Sequence, residues 1–384
     1  YGEEKYHAVC VVDAEDQTEA SRSGRDALPG VRNALSKLAD RYSMSILSAS
    51  GSNNTLYSPV GLYHTLTYLE RGAGGMTRDE LALFTEGEVI SNLSDSNPTL
   101  FIDTDNQDLL PLFVNALIVP RNNESSLVPS FSVVSGAKFY TSIYSASHAG
   151  HTQIDLVLSG RKPSEVCSQW ADIDETSSPI ESMSLLQSLE VSLKVETDAL
   201  QNGSPKGSFH SPDGMVEGVP YYLADAIAAR NFIVDKSVIS EIQVAGGSLY
   251  LILPPEGTRP EDLLEKGDVF SSLAILPPEQ EHSSVHFPQF SITDDHDWLG
   301  DKGITEIKQL IAKDPDFSGM MTGSGLSFST IVQRAAIRFE PSGSSYKGQS
   351  SPSPVIEYNG PFIFVATDEY GLPLMAGVVR NPLR

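Results

Sequence analysis

Cysteine is scarce in this chain and forms no recognisable motif. The 384 residues include two cysteines, Cys10 and Cys167, and their spacing fits neither a zinc site nor a redox site. One disulfide between them is compatible with the sequence, and two buried thiols are at least as consistent with it. The sequence therefore leaves the state of the two cysteines open.

Positive charge and long apolar runs are also in short supply. Asp and Glu number 50 against 26 Lys and Arg, which gives a formal net charge of −24. This surplus of negative charge argues against nucleic acid and against anionic membranes as partners. No apolar run approaches the roughly 20 residues of a membrane-spanning helix. The composition, 40% apolar and 20% charged, is typical of a soluble globular protein, so we expect neither a nucleic-acid nor a membrane partner.

The chain lacks the short motifs of the common enzyme classes. It contains no Gly-x-Ser-x-Gly elbow, no phosphate-binding glycine loop ending in Lys-Ser or Lys-Thr, and no His-Glu-x-x-His. The run Asp295–Asp297 has a histidine at its centre and could hold a metal. Capping of a helix that begins near Trp298 is the better interpretation. We therefore expect no enzyme activity, no cofactor and no metal site.

No linker divides the sequence into separate domains. We expect a polar, acidic leader over residues 1–25 and a single domain over residues 26–384. The chain begins at Tyr1 rather than Met, which suggests a mature product from which a signal peptide has been removed. Asn-x-Ser/Thr sequons, which matter only in a eukaryotic secretory pathway, occur at Asn53, Asn92, Asn123 and Asn202. We expect a secreted, extracellular protein.

Hydrophobic periodicity and capping residues locate several elements. Apolar residues recur at helical spacing from Gly30 to Ser50. Ser58 followed by Pro59 predicts the start of a second helix, and Thr77 is predicted to cap the helix after it. Alternation over Leu189–Leu200 predicts a strand with one buried face.

Two apolar runs near the C-terminus, Ala335–Phe339 and Pro361–Ala366, flank a segment of different composition. Residues Ser342–Pro354 are rich in Ser, Gly and Pro, and they hold a single aromatic residue, Tyr346. Because this segment has no apolar face to bury, it is predicted to be an exposed loop between two strands.

Short stretches along the chain resemble the serpin family of serine protease inhibitors. Asn359–Phe364 resembles the family's Asn-x-Pro-Phe-x-Phe strand, and Gly371–Leu374 with Gly377–Pro382 resembles its closing hairpin. Further segments that resemble family patterns, and that follow in family order, are Asn53–Leu62, Gly74–Leu81, Gly247–Gly257, Val285–Ile292 and Asp316–Met320. Each match is short, and the matches taken together are specific to the family.

The resemblance implies a fold, a mechanism and a partner. It implies an α+β serpin fold with large mixed and antiparallel sheets, about eight to nine helices and an exposed reactive-centre loop. In this family a protease attacks the loop and forms an acyl-enzyme. The cut loop then inserts into the main sheet as a new strand, and the trapped protease is deformed. The implied partner is a serine or cysteine endopeptidase, and the implied state is a monomer.

Family positions carried onto this chain give three groups of site residues. The scissile position, counted back from Pro361, falls at or near Ser350 and Ser351, with Gln349 and Lys347 close by. The hinge, where the loop enters the sheet, comprises Glu340, Gly343, Ser344 and Ser345. The shutter, where the sheet opens, comprises Ser58, Gln333 and approximately Thr197.

Two features depart from inhibitory members of the family. Their hinges carry small residues, whereas here Tyr346 and Lys347 would have to enter the sheet, where one of each alternating pair faces the core. The seven residues Ser344–Ser350 span roughly 23 Å, whereas a domain of this size is roughly 50–55 Å across. The loop is thus about seven residues short, and we predict that full trapping is weak or lost.

Three functions stay open at this stage. The first is a serpin that is cut as a plain substrate. The second is a competent suicide inhibitor of a serine or cysteine endopeptidase, and the third is a non-inhibitory carrier or binding serpin. A cut at Ser350 would suit elastase-like or subtilisin-like enzymes, and a cut at Lys347 would suit trypsin-like ones.

Overall fold

A computed structural model gives the architecture of most of the chain. The described residues are 8–12, 28–85, 112–121, 127–139, 141–170, 178–194, 200–201, 206–224, 229–279, 283–300, 304–305, 307, 314–322, 327–340 and 355–384. Within these ranges the helices are α1 Leu28–Leu47, α2 Pro59–Gly72, α3 Gly75–Phe84, α4 Pro129–Phe139, α5 His151–Leu158, α6 Pro163–Gln169, α7 Pro260–Leu264 and α8 Val269–Leu273. None of the described helices has both the length and the apolar character that crossing a bilayer requires.

The largest sheet, here called the main sheet, has six strands in the order β1-β4-β3-β7-β17-β16. Its strands are β1 Val9–Val12, β3 Leu112–Pro120, β4 Thr141–Ala146, β7 Met183–Lys194, β16 Ile292–Asp297 and β17 Phe328–Glu340. β7 and β17 are parallel to each other, and β3 and β16 run antiparallel to them.

A second six-stranded sheet is antiparallel throughout, in the order β12-β13-β14-β19-β20-β2. Its strands are β2 Thr55–Tyr57, β12 Ala229–Val234, β13 Ser237–Val244, β14 Gly247–Leu253, β19 Phe362–Asp368 and β20 Pro373–Val379. The main apolar core combines residues of this sheet, of α1 and α2, and of one face of the main sheet.

Three smaller groups of strands complete the described part of the fold. A four-stranded sheet, here called the small sheet, has the order β18-β15-β11-β8. Its strands are β8 Leu200–Gln201, β11 Tyr221–Ala224, β15 Ser284–Pro288 and β18 Val355–Glu357. The two strand pairs are β5 His148–Ala149 with β6 Ser178–Pro179, and β9 Gly207–Ser211 with β10 Gly214–Val219. The mixture of helices and largely antiparallel sheets confirms the predicted α+β class.

The start of α2 follows directly from its sequence. Ser58 is the N-cap, with its side-chain oxygen accepting a hydrogen bond from the amide of Gly61 at 2.9 Å, and Pro59 occupies the first helical position. Every residue of this helix except Arg71 is buried, so the helix runs through the core rather than along the surface.

Two local predictions differ from the structure. Residues 9–12, placed in the polar leader by composition, form β1 on the edge of the main sheet, because this short apolar run pairs with β4. Thr77 does not cap α3, which begins at Gly75. Its hydroxyl instead accepts a hydrogen bond from the amide of Asp316 at 2.8 Å. The hydroxyl that was predicted to cap the helix therefore binds a loop that is distant in sequence.

Candidate functional site

The site begins where β17 leaves the main sheet. β17 ends at Glu340, whose backbone pairs with Lys194, the last residue of β7. β18 begins at Val355 in the small sheet, parallel to β15. The segment 341–354 therefore connects the end of one sheet to the edge of another.

Most residues predicted for the scissile and hinge groups fall in this connecting segment. Glu340 is the last residue of β17. The other predicted residues lie outside the described part of the chain: Gly343, Ser344, Ser345, Lys347, Gln349, Ser350 and Ser351.

The seam between β7 and β17 is closed over its whole described length. The two strands are direct neighbours from the pair Phe328–Met183 to the pair Glu340–Lys194. Any strand added between them would first have to break this parallel ladder of hydrogen bonds. The main sheet can accept a new strand here only by separating into two parts.

Polar side chains cross the main sheet in one row at the middle of this seam. The strand registers place the row across five neighbouring strands, at Thr141, Asn115, Gln187, Gln333 and His296. All five side chains are buried. A polar row through an otherwise apolar layer is stable only where its groups find hydrogen-bond partners.

Gln333 is the hub of the hydrogen bonds in this row. Its side-chain oxygen accepts from the Ser58 amide at 2.8 Å, and its Nε2 donates to the Gln187 Oε1 at 2.9 Å and to the Ser58 carbonyl at 3.2 Å. The Ser58 hydroxyl donates to the Leu374 carbonyl at 2.7 Å. Gln333 thus fastens the seam to the start of α2, and Ser58 fastens α2 to β20.

The structure brings Ser58 and Gln333 together and adds a residue that sequence reasoning missed. Thr197 lies outside the described residues, and the side chain that faces Gln333 from the neighbouring strand is Gln187. One sequence signal could have found it, since Gln187 is a single amide in the apolar run that precedes Leu189. Asn115 on β3 is a similar isolated amide, and it donates to the hydroxyl of Thr141.

Two atoms of the row have no hydrogen-bond partner among the described residues. They are the Asn115 Oδ1 acceptor and the Gln187 Nε2 donor, on adjacent strands. Leaving a buried polar atom unpaired costs about 1–3 kcal/mol. The β3–β7 side of the row is therefore less well satisfied than the β7–β17 side.

Close packing at α2 leaves no room for a side chain at Gly61. A Cβ atom there would approach the Gln187 Oε1 to 2.4 Å and the Gln333 Nε2 to 2.7 Å. Real Cβ atoms do not come this close to a neighbour. Glycine at this position is what lets the helix reach the seam.

His296 ends the row on β16. Its Nε2 lies 2.7 Å from the Leu56 carbonyl, and its ring stacks on Trp298 with 5.2 Å between ring centroids. These contacts tie β16 to β2 of the second sheet. The run Asp295–Asp297 lies at the end of strand β16, and the described residues 298–300 after it form a turn, so the predicted cap of a helix beginning near Trp298 is wrong. Among the described residues, no group of three or more His, Cys, Asp or Glu is placed to hold a metal ion.

An ion pair crosses the seam on the opposite face of the sheet. Arg334 on β17 lies 3.0 Å from a carboxylate oxygen of Asp155 on α5, a helix that packs on β3 and β7. The same guanidinium also contacts Asp295 on β16 at 2.9 Å. Hydrogen bonds to Asp295, then to Asp155, raise the pKa of Arg334. The pair links the two parts that seam opening would separate.

The C-terminal end of segment 341–354 is anchored by an aromatic and charged cluster. His286 on β15 pairs in register with Glu357 on β18, and it stacks on Tyr221 with ring centroids 4.4 Å apart. Burial lowers the pKa of His286, and the charge of Glu357 opposes that change. Burial, with a smaller contribution from Glu357, raises the pKa of Tyr221 to about 12.

The residue after β18 extends this anchor into the core. Tyr358 is fully buried, and its hydroxyl is 2.9 Å from both the Ser240 hydroxyl and the Leu251 carbonyl. Ser240 donates in turn to Asn231 at 2.7 Å. The chain that follows segment 341–354 is therefore held firmly by the second sheet.

Comparison with known proteins agrees with this geometry. Residues 208–382 match the sequence model of the family described as Serpin (serine protease inhibitor). A search among curated proteins finds no significant match. Solved structures with the same fold include the thermophilic serpin tengpin in its native state. The two chains are 14% identical with a TM-score of 0.73, and the match covers 98% of this chain and 100% of tengpin.

Two further structures come from an animal and a plant. Mouse protein-Z dependent protease inhibitor matches at 18% identity and a TM-score of 0.71, over 93% of this chain and 98% of that one. Arabidopsis AtSerpin1 in the native stressed conformation matches at 16% identity and a TM-score of 0.71, over 94% of this chain and 100% of that one. The chain has the serpin fold, and residues 208–382 match the sequence model of the serpin family, which confirms the resemblance that the sequence predicted.

Proposed function

We propose that this serpin presents residues 342–354 to a serine endopeptidase as a reactive-centre loop and is cut there as a substrate, with trapping weak or lost. The single observation that carries the proposal is the length of β17. This strand has 13 residues, and an inserted loop would have to run beside it and β7. The loop residues available for insertion are seven, Ser344–Ser350.

The difference in length between β17 and the seven loop residues sets how far an inserted strand could reach. At about 3.3 Å per residue, β17 extends roughly 43 Å and the seven residues roughly 23 Å. An inserted segment that starts beside Glu340 would reach about as far as Arg334. It would stop before Gln333, and the polar row below would stay closed.

Incomplete insertion reduces the driving force of trapping. Full insertion exchanges the β7–β17 ladder for two new ladders, one on each side of the added strand. A seven-residue strand gains those ladders over about half of the seam, and the protease would be carried about half of the distance. Tyr346 and Lys347 would also have to enter the sheet, which adds bulk where Gly343 and Ser344 are small.

The composition of the loop suggests which enzymes would cut it. Ser350, with Gln349 before it and Ser351 after it, offers a small polar residue to elastase-like or subtilisin-like enzymes. Lys347 offers a basic residue to trypsin-like enzymes. We propose that the partner is a serine or cysteine endopeptidase and that the protein acts outside the cell as a monomer, without enzyme activity of its own.

Exposure to proteases tests this proposal. The intact protein would be incubated briefly with trypsin and with subtilisin, and the products would be analysed by denaturing gel, intact mass and thermal unfolding. We expect cleavage at Lys347 or near Ser350, no complex that survives denaturation, and little gain in melting temperature. A covalent complex with either protease would contradict the loss of trapping.

A second candidate function is competent suicide inhibition. The observation that favours it is that β7 and β17 are paired directly, with no strand between them. The loop is therefore not inserted in this structure, and its insertion after cleavage could still take place. A stable covalent complex, with a large rise in melting temperature after cleavage, would establish this function in place of the first.

A further inference from the structure

We propose that Asn359 is a site of spontaneous deamidation, at which its side-chain amide is converted to a carboxylate through a cyclic imide formed with the backbone nitrogen of Gly360. This modification site lies outside the loop residues 342–354, and it is independent of the proposed function. The sequence has two Asn-Gly pairs, Asn202-Gly203 and Asn359-Gly360. The second of these pairs lies in the described part of the chain.

Asn359 and Gly360 lie in the short connection between two strands. β18 ends at Glu357 and β19 begins at Phe362, so both residues lie outside the backbone ladders of the two sheets. Asn359 is exposed, and Gly360 is half-buried. Water and hydroxide therefore reach the amide that has to be released.

The side chain of Asn359 is free to turn. Neither its amide nor the backbone nitrogen of Gly360 has a hydrogen bond to another described residue. Asn54 shows the opposite case, since its Oδ1 accepts from the backbone amides of Arg380 and Asn381, and its Nδ2 donates to the Asn381 carbonyl. The amide of Asn54 cannot rotate towards the next nitrogen without breaking these bonds, whereas the amide of Asn359 can.

Glycine after the asparagine leaves the attacking nitrogen unhindered. A Cβ atom at Gly360 would meet nothing within 4 Å, so there is open space beside this residue. Glycine also adopts a wider range of backbone conformations than other residues, which helps the chain to turn as the ring closes. The two reacting atoms belong to adjacent residues, so rotation about the bonds of Asn359 is enough to bring the nitrogen to Cγ.

A backbone hydrogen bond favours loss of the proton from this nitrogen. The attacking species is the deprotonated peptide nitrogen of Gly360, whose negative charge is shared with the carbonyl oxygen of Asn359 through the resonance of the peptide bond. The backbone amide of His210 on β9 donates to that oxygen at 2.7 Å. A donor aimed at the atom where negative charge develops stabilises the charged form.

The reaction consumes one water and releases one ammonia, with no oxidation or reduction. The Gly360 nitrogen gives up its proton and bonds to Cγ of Asn359, and the side-chain nitrogen leaves with a proton as ammonia. Water then opens the imide at one of its two carbonyl carbons. Opening at Cγ gives aspartate, and opening at the backbone carbonyl gives isoaspartate, in which the main chain runs through Cβ and Cγ.

Both products change the connection between β18 and the second sheet. Each adds a negative charge to a chain whose formal net charge is already −24. Isoaspartate also lengthens the main chain by one carbon between Tyr358 and Phe362, whose side chains are fully buried. Because closely packed side chains have little room to shift, we expect isoaspartate at this position to lower the melting temperature.

Peptide mapping of the full-length protein by mass spectrometry tests the proposal. The folded protein would be kept in mildly alkaline buffer, sampled over days, and digested under acidic conditions that stop the reaction. A parallel sample would be kept unfolded in urea. We expect the peptide that contains Asn359 to be converted to aspartate and isoaspartate forms in the folded protein, and Asn54 to stay unchanged there. Conversion of Asn359 in urea alone would overturn the proposal, because the fold would then protect the amide.

Two variants test the role of the neighbouring nitrogen. Gly360→Ala places a methyl group in open space, so it should keep the melting temperature of the wild type. It should slow the conversion of Asn359 about tenfold, because the methyl group hinders the attacking nitrogen. Asn359→Gln should form no acidic product at this position, since its longer side chain would have to close a larger ring. Equal rates in the wild type and in Gly360→Ala would refute the attack by the Gly360 nitrogen.

Discussion

Gln333 and Gln187 join the two strands on either side of the seam through a hydrogen bond of 2.9 Å between Nε2 of the first and Oε1 of the second. Their contributions to stability should be unequal. Gln333 also bonds both backbone groups of Ser58, whereas Nε2 of Gln187 has no partner among the described residues. The same pair of residues can therefore be used to measure what holds the seam closed.

The first prediction compares the two glutamines by substitution with leucine. Gln333→Leu leaves the Ser58 amide and the Gln187 Oε1 unpaired and should lower the free energy of unfolding by about 2–4 kcal/mol. Gln187→Leu removes an already unpaired donor and should cost about 1 kcal/mol. The double variant should be less destabilised than the two losses added together. Urea unfolding would measure all three, with the exposed Gln243→Leu as a control expected within about 0.5 kcal/mol of wild type.

A second prediction concerns the contact between α2 and the seam. Gly61→Ala should destabilise the protein by about 1–3 kcal/mol, because the new Cβ would overlap the side chains of Gln187 and Gln333. Gly360→Ala is the matched control, since a Cβ atom there would meet nothing within 4 Å. Thermal unfolding of both variants gives the comparison. Equal melting temperatures would show that the seam can move aside at little cost.

The length of the loop supplies a third prediction, which is a gain of function. Seven alanines inserted between Ser345 and Tyr346 would lengthen the insertable segment to 14 residues, close to the 13 of β17. We expect this variant to form a covalent complex with subtilisin or trypsin that survives denaturation. The control carries the same seven alanines between Ser351 and Pro352, where they lengthen the loop but follow the predicted cut. Complex formation by both variants, or by neither, would contradict the proposed role of length.

Acid should weaken the protein at the anchor of β18, which is the fourth prediction. Burial lowers the pKa of His286 in the folded state below the value of about 6.5 in the unfolded chain. The unfolded state therefore binds the proton more readily, so this contribution to stability is complete above pH 6.5 and is lost as the pH falls towards the folded-state pKa. His286→Phe keeps a ring against Tyr221 and should show a smaller fall in melting temperature between pH 7 and pH 5.

The exposed His151 on α5 provides the control for that measurement. His151→Gln should keep the pH dependence of the wild type. If His286→Phe also keeps it, the acid sensitivity arises from other groups.

Local sequence signals predicted the parts of the site that depend on local structure. Ser58 before Pro59 gave the start of α2, because a capping hydroxyl and a preset proline act within one turn of the chain. The position of Gln333 came from the resemblance to the family, and the structure places it against Ser58. The α+β class and the serpin fold were predicted in the same way and are confirmed.

The start of β7, the strand that pairs with β17, was not predicted from the sequence. The predicted strand ran from Leu189 to Leu200, whereas β7 runs from Met183 to Lys194. Alternation is visible only towards the end of β7, because residues 185–189 are buried on both faces of the sheet. A strand covered on both faces shows no alternating pattern, so its start was missed and Gln187 was overlooked.

Cleavage at Ser350 would leave residues 351–384 as a separate polypeptide of 34 residues. That fragment includes β19, which lies between β14 and β20 in the second sheet, and the buried Arg380, which bonds to Glu261 on α7. Nothing short of unfolding would release it. The cleaved protein should elute from a size-exclusion column as one particle of unchanged mass, so native chromatography would not detect the cleavage. Only a separation under denaturing conditions would show the two fragments.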